Sequence, residues 1–242
     1  MLVNADVKGL EVVVAAQLSG DAVLRKEIVD GEDIHGNNQA AFGLGVGKAG
    51  RLVAKVFKFR LIYGGSAYSY ANDPVFMGVS SSQEFWQDVI DKYYSKYVGI
   101  AKWHREINLE AKQNGRLTIP SGRYYPFEYE QTKWGLKWPD TKVKNYPVQG
   151  FGADLVMLAR LEVAKRLRKE SDRILLVSTI HDSIVVDTPE ENVYNIAKVL
   201  KESIEAVPHL CKQVWGYDFT LPLTCEVSAG KNKKDMELIV VT

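Results

Sequence analysis

The sequence predicts an α+β fold in which a mostly helical segment is inserted into a domain that mixes strands and helices. Three observations lead there. Apolar runs of strand length lie toward both ends of the chain, at Leu2 to Ala5, in RILLVSTIHDSIVVDTP and from Phe219 to Val227. The middle third instead carries amphipathic periods at helical spacing. No internal repeat or low-complexity tract is present, so one helical insertion into one mixed domain accounts for the pattern.

Taken in order, Leu2 to Ala5 ends in Asp6 and gives way to VVVAAQLSGD, a strand running into a helix that a Ser-Gly-Asp turn closes. From Lys48 to Tyr63 charged and apolar residues alternate as on a helix, and Gly64-Gly65 stops it. Ser81 to Tyr97 opens like a capping box and continues as an aromatic-rich amphipathic helix, with a second helix from Ile100 to Gln113. RLTIPSGRYYPFEY reads as two short strands around a turn, and Trp134 to Asp140 as a loop. Ala153 to Lys169 is a periodic helix, and the two apolar runs around His181-Asp182-Ser183 form a hairpin with a polar tip. Glu190 to Ile204 reads as a helix and Phe219 to Val227 as a strand.

Composition narrows the function classes. With 242 residues and 46% hydrophobic content, a sizeable core is affordable. No apolar run reaches the ~18 residues of a membrane span, and MLVNADVKGL lacks the basic flank and apolar centre of a signal peptide. The expectation is a cytoplasmic protein with no membrane partner. Cys211 and Cys225 lack the paired spacing of a zinc site or disulfide framework and read as buried free thiols. Lys and Arg total 31 against 30 Asp and Glu, so affinity for a polyanion must be local. Two basic clusters qualify: Lys48, Arg51, Lys55, Lys58 and Arg60, and Arg160, Lys165, Arg166, Arg168 and Lys169.

Asp6 and Asp182 each stand where an apolar strand ends, poor for core packing but suited to a hard cation such as Mg²⁺. Either alone is ordinarily a turn residue. Between them Arg51, Lys55, Phe59 and Tyr63 recur every four residues and form one helical stripe. Two cations followed by two aromatics are what a nucleoside triphosphate needs, charge for its phosphates and flat rings beside its base and sugar.

Together these segments resemble family A DNA polymerases, the bacterial polymerase I-like group. Asp6-Val7-Lys8-Gly9-Leu10-Glu11 with Leu18-Ser19-Gly20-Asp21 is similar to that family's motif A, and RLVAKVFKFRLIYGG to motif B. Ile180-His181-Asp182-Ser183 resembles motif C. Asn145 to Gly150 with Ala153-Asp154-Leu155, Asp33-Ile34-His35, and Gly122-Arg123 resemble further family segments in the same order. The resemblance implies a palm, an antiparallel sheet with helices, at residues 1–20 and 115–242, and inserted helical fingers at 21–114. Motif B would occupy about 48–63 and the motif C hairpin about 174–187.

It further implies template-directed DNA synthesis by two-metal nucleotidyl transfer. Asp6, Asp182 and the backbone carbonyl of Val7 would hold two Mg²⁺ ions. His35, Arg51 and Lys55 would bind the dNTP phosphates, with Lys55 also protonating pyrophosphate, and Phe59 and Tyr63 would line the nascent base pair. Glu11 would exclude a ribose 2′-hydroxyl, and Arg123, Asn145, Gln149 and His181 would contact primer-template DNA. Two departures stand out: Ser183 replaces the usual Glu of motif C, and Lys8-Gly9 replaces Ser-Gln. Single-subunit RNA polymerases share His-Asp-Ser, but carry glycine where Glu11 stands. A non-catalytic nucleic-acid-binding subunit would have no need of Asp6, Asp182, Arg51 and Lys55 together. Because Asp6 lies so near Met1, the expectation is a split, virus-type polymerase. Its second polypeptide would carry the thumb, commonly with a 3′–5′ exonuclease domain.

Overall fold

A computed structural model describes residues 1–168 and 173–241. In chain order, β1 (Leu2–Val7) leads to α1 (Leu10–Ser19), α2 (Ala22–Val29), α3 (Ile34–Phe42), α4 (Gly47–Ile62) and α5 (Ala67–Ala71). Helices α6 (Gln83–Lys96) and α7 (Val98–Asn114) follow. Two hairpins come next, β2 (Arg116–Thr118) with β3 (Tyr124–Pro126) and β4 (Glu130–Thr132) with β5 (Gly135–Lys137). Then come α8 (Asp140–Leu167), β6 (Leu175–Ile180), β7 (Ser183–Asp187), α9 (Val193–Glu205), α10 (Val207–Trp215), β8 (Cys225–Gly230) and β9 (Glu237–Ile239).

The chain forms two compact units, one of residues 1–10, 120–122 and 150–242, the other of 11–119 and 123–149. The first is built on an antiparallel sheet of order β6-β7-β1-β8-β9. Val3, Ala5 and Val7 of β1 alternate into the core, as the period of two in a strand requires. Helix α9 packs on β1 and β8, burying Ile196, Ala197, Leu200 and Ile204. Ile184, Val185 and Val186 of β7 are all buried, so that strand is covered on both faces.

The second unit is helical, and its core is aromatic. Phe57 of α4 lies 4.9 Å from Tyr70 and 5.8 Å from Trp86, ring centre to ring centre, and Phe42 and Tyr93 close the cluster. Gly64 follows α4 at φ 84°, a left-handed position that glycine takes without cost. Asp21, at the Ser-Gly-Asp turn, ties the unit together although it is only 1% exposed. Its Oδ1 accepts from the Leu24 N–H at 2.9 Å, capping α2, and its Oδ2 accepts from the Gly99 and Ile100 N–H groups at 2.7 and 3.3 Å, at the start of α7. A Cβ on Gly99 would fall 2.6 Å from the Asp21 Cα, so the close approach demands glycine.

The structure departs from the sequence expectations in three places. The loop expected at Trp134 to Asp140 holds β5, because Thr132 Oγ1 accepts from the Trp134 N–H and donates to the Gly135 carbonyl, closing a hairpin over the short turn. Helix α8 begins at Asp140 rather than Ala153 and runs through Pro147. A proline inside a helix costs about 3 kcal/mol, and burial of Val143, Val148, Phe151 and Leu155 along the same helix offsets it. Its expected end at Lys169 lies outside the described residues. Strand pairing expected from Phe219 starts only at Cys225: Pro222 has no N–H to give a ladder, while Phe219, Leu221 and Leu223 are buried as irregular chain. By their contacts, residues 123–149 group with the helical unit. The reason is local: Trp138 Nε1 donates to Asn108 Oδ1 at 3.1 Å, and Lys112 lies over the Trp138 ring, so the hairpins pack on α7.

Replacing Asp21 by alanine strands three buried N–H groups at two helix starts. The expected loss is about 3 kcal/mol of unfolding free energy, read from the urea midpoint at unchanged slope. A loss below about 0.5 kcal/mol would contradict the double-capping role.

Candidate active site

In the sheet unit, the register of three strands decides where the carboxylates go. Asp6 pairs with Ser183 on one side and Glu226 on the other. One residue further, the Val7 N–H donates to the Asp182 carbonyl at 3.0 Å. Asp6 and Asp182, distant in sequence, therefore stand at the same end of neighbouring strands. Asp6 is exposed and Asp182 partly so.

Between β6 and β7 only His181 and Asp182 turn the chain, and His181 takes φ 53°. Tight hairpins ordinarily give that conformation to glycine or asparagine, and a histidine held there stores about 1–3 kcal/mol. Ser183 is buried, and its hydroxyl donates to the Ile180 carbonyl at 3.0 Å, so it closes the hairpin.

The donors here are hard. Among the described residues no group of three or more His, Cys, Asp and Glu is placed to hold a metal. Cys225, which pairs with Val7, has its thiol pushed up to about 11 chiefly by burial, with Glu205 adding to the shift. Two carboxylates without soft ligands suit Mg²⁺ rather than zinc. Cys211 is buried and Cys225 half-buried, both free.

The helical unit carries the other expected residues. On α4 the stripe divides the helix as the spacing requires: Arg51 and Lys55 are exposed and Phe59 and Tyr63 half-buried, while Val53, Ala54, Phe57, Leu61 and Ile62 are buried. His35, in the first turn of α3, faces this stripe with its ring 6.1 Å from that of Phe59, and the Lys55 ammonium lies 5.9 Å from the Phe59 ring. Asp33 caps α3, its Oδ1 accepting from the Gly36 N–H at 3.1 Å, and its Oδ2 pairs with the Arg51 guanidinium. The Arg51 contact and the Gly36 N–H hold the Asp33 carboxyl below the usual range.

Tyr63 joins a second group. Gln149 on α8 donates to its hydroxyl, and the carboxylate of Glu11, with burial as the larger cause, raises the phenol well above its ordinary pKa. Glu11, Tyr63 and Gln149 are thus neighbours within one unit. Arg123 is exposed in the turn before β3, its carbonyl accepting from the Ile119 N–H at 2.8 Å, and Asn145 is partly exposed on α8. In the sheet unit, Asp154 is buried and accepts from the Ser121 hydroxyl at 2.5 Å, fixing the turn that precedes Arg123.

Sequence reasoning passed over Lys58, whose place in a basic cluster suggested a solvated charge. It is 1% exposed, its ammonium pushed down to about 7 chiefly by burial, with Glu27 opposing. Its neighbourhood is a buried polar network in which Lys96 Nζ contacts Glu27 Oε1 at 2.7 Å and Tyr97 Oη donates to Glu27 Oε2 at 2.7 Å. Spacing gave no signal: Lys58, seven residues after Arg51, lies within about 20° of it around α4, yet it is buried. A separate cavity of about 470 Å³ lies among α6, α7 and α8, lined by none of the expected residues.

A sheet presenting two carboxylates at adjacent strand ends, and a helical unit presenting an Arg-Lys-aromatic stripe, are parts of a nucleotide polymerase fold. The DNA polymerase family A model matches residues 1–235, and the chain belongs to that family. It is 29% identical over 239 residues to the thermostable DNA polymerase I of Thermus aquaticus, covering 96% of this chain and 27% of that protein. To DNA polymerase I of Chloroflexus aurantiacus it is 28% identical over 239 residues, 97% of this chain and 24% of that one. The chain thus spans about a quarter of the length of these relatives. In three dimensions it resembles the POL domain of Pol1 from M. smegmatis, solved in complex with DNA primer-template and dNTP. That match has TM-score 0.81 at 22% identity and covers 96% of this chain and 39% of that chain. Among the described residues no helix is long and apolar enough to cross a membrane.

His35 supplies a direct test. Burial first, then Lys58, Lys55 and Arg51, lower its pKa from 6.5 to about 4, and its Nδ1 is buried without a hydrogen-bond partner. The ring is therefore neutral at pH 7. Below pH 6.5 the unfolded chain takes up a proton that the folded chain refuses until about pH 4, so His35 lowers stability as pH falls through that window. Its NMR titration should show a midpoint near 4, moving upward when inorganic triphosphate is added. A midpoint near 6.5, unmoved by triphosphate, would contradict the cationic face.

Proposed function

We propose that this chain carries out template-directed DNA synthesis, adding dNMP to a primer 3′ end and releasing pyrophosphate. The observation that carries the reading is the pair Asp6 and Asp182, held on neighbouring strand ends by the hydrogen bond from Val7 to Asp182. In this reading residues 1–20 and 115–242, which include the five-stranded sheet, are the palm and residues 21–114 the fingers. Asp6, Asp182 and the Val7 carbonyl would hold two Mg²⁺ ions. When bound, the ions supply activation of the 3′-hydroxyl and neutralisation of charge on the triphosphate during in-line displacement.

The chain's own residues then do the positioning. Arg51, Lys55 and the neutral N–H of His35 bind phosphate oxygens, and a triphosphate competes with Asp33 for the Arg51 guanidinium. As the primer oxygen, its proton lost to water, bonds to the α-phosphorus, the bond to pyrophosphate breaks and Lys55 gives the leaving group a proton. Phe59 and Tyr63 flank the new base pair. Glu11, close enough to Tyr63 to shift its phenol, closes the space beside the sugar 2′ carbon. Arg123, Asn145, Gln149 and His181 contact the primer and template strands.

A thumb-bearing polypeptide completes the enzyme in this reading. Strand β6 lies at the sheet edge with Leu175 and Val177 more than half exposed, 57% and 56%, an edge and apolar surface that a neighbouring segment would cover. That segment would belong to the thumb, with an exonuclease domain beyond it. A separate viral chain is one arrangement, although the relatives named above are bacterial.

Two measurements bear on the chemistry. Asp6→Ala and Asp182→Ala should each reduce primer extension, with the thumb region supplied, below about 1% of wild type at unchanged Tm. Incorporation above that level would sink the metal assignment. Glu11→Ala should lower discrimination against ribonucleotides by about 100-fold or more in kcat/KM. Equal use of both sugars by the wild-type chain would instead favour an RNA polymerase.

A further inference from the structure

We propose that the β4–β5 hairpin is a second nucleic-acid contact, a stacking platform for unpaired DNA such as the single-stranded part of a template. The proposal rests on the polymerase reading only for its choice of DNA as the polymer. Trp134 stands in the turn of this hairpin and is 86% exposed, an indole displayed where burial would ordinarily be favoured. It is not loosely held. Thr132 Oγ1 accepts from the Trp134 N–H at 3.1 Å and donates to the Gly135 carbonyl at 2.7 Å, so the turn is braced on both sides of the ring.

Cations accompany the rings of this region. Lys133 Nζ lies 5.1 Å from the Trp134 ring centre, Lys112 Nζ 5.7 Å from Trp138, and the Arg116 guanidinium 5.5 Å from Tyr124. From residue 112 to 144 there are seven Lys and Arg against three Asp and Glu, in a chain whose net charge is only +1. One of those three acids, Glu130, is already paired with Lys142 at 2.5 Å. Aromatic faces with cations beside them are the means by which proteins hold single strands, rings for the bases and charge for the phosphates. A duplex keeps its base faces stacked inside, so these rings discriminate in favour of unpaired DNA.

The spacing fits a polymer. Trp134 and Trp138 are separated by the length of β5, about 13 Å at the rise of a strand, room for more than one nucleotide. Trp138 also marks the edge of the cavity among α6, α7 and α8. Its indole donates to Asn108 and sits under Lys112, both of which line that cavity together with Arg105 and Lys144. A protein partner for the hairpin would call for an apolar or acidic counterpart, and the excess of positive charge favours the phosphate backbone instead.

The test is fluorescence anisotropy of 5′-fluorescein-labelled oligothymidylate with the full chain, at 50 and 200 mM salt, against a blunt duplex of equal length. Trp134→Ala should weaken binding of the single strand by about 5- to 150-fold, and Trp134→Phe should restore most of it. Lys133→Gln with Lys137→Gln should flatten the salt dependence by about 1.4 in slope, as two lost phosphate contacts require. Because Trp134 is on the surface, neither change threatens the fold. Unaltered single-strand affinity in both variants would overturn the platform, whether or not a protein proves to bind there. Trp134-dependent binding without primer extension even when the thumb region is supplied would remove the polymerase reading and leave the platform, and extension with Trp134-independent binding would do the reverse.

Discussion

Antiparallel pairing of β1 with β7 and β8 is the constraint on which the candidate site depends. In a strand the side chains alternate, so a slip of one residue between β1 and its neighbours would turn Asp6 to the opposite face and bring Val3, Ala5 and Val7 out of the core. The burial of those three residues beneath α9 thus locks the register, and the register places Asp6 beside the turn that carries Asp182. Packing energy spent on apolar residues sets the position of charged ones. The left-handed backbone at His181 is a local cost that the surrounding ladder over-determines.

The helical unit solves a related problem differently. Helix α4 has to be apolar enough to dock and cationic enough to meet phosphates, and it separates the two tasks by face. Phe57 enters the aromatic cluster while Arg51 and Lys55 stay in solvent, with Phe59 and Tyr63 at the margin. Asp33 holds Arg51 and caps α3 in the same act, so the helix bearing His35 and the helix bearing Arg51 are oriented by one carboxylate. The accumulated positive charge, together with burial, keeps His35 neutral at physiological pH.

Much of this was legible in the sequence, for identifiable reasons. Asp6 and Asp182 were readable because each interrupts an apolar run at a strand end, and the α4 stripe because its four-residue spacing mixes two residue types that a core does not mix. The start of α6 was readable from the Ser-Ser-Gln-Glu run that opens at Ser81, although the cap is Ser82, whose hydroxyl accepts from the Phe85 N–H at 3.2 Å. Less was legible where tertiary contacts overrule local preference. A helix expected only from Ala153 extends back through Pro147 because buried residues on both sides of the proline sustain it, and β4 and β5 are too short to show a period. The burial of Lys58 depends on Glu27 and Tyr97, and the double cap by Asp21 on Gly99, partners that no local pattern reveals. Ser183 stood out as a departure, yet only the structure shows its hydroxyl turned back to Ile180.

The claim that most needs a direct measurement is that Asp6 and Asp182 form one divalent-cation site. Mn²⁺, as a paramagnetic stand-in for Mg²⁺, can be counted by electron paramagnetic resonance on the chain saturated with a non-hydrolysable dNTP analogue and primer-template. Two ions per chain are expected, falling to none or to weak binding in the Asp6→Asn, Asp182→Asn double variant. Retention of two tightly bound ions by that variant would contradict the account.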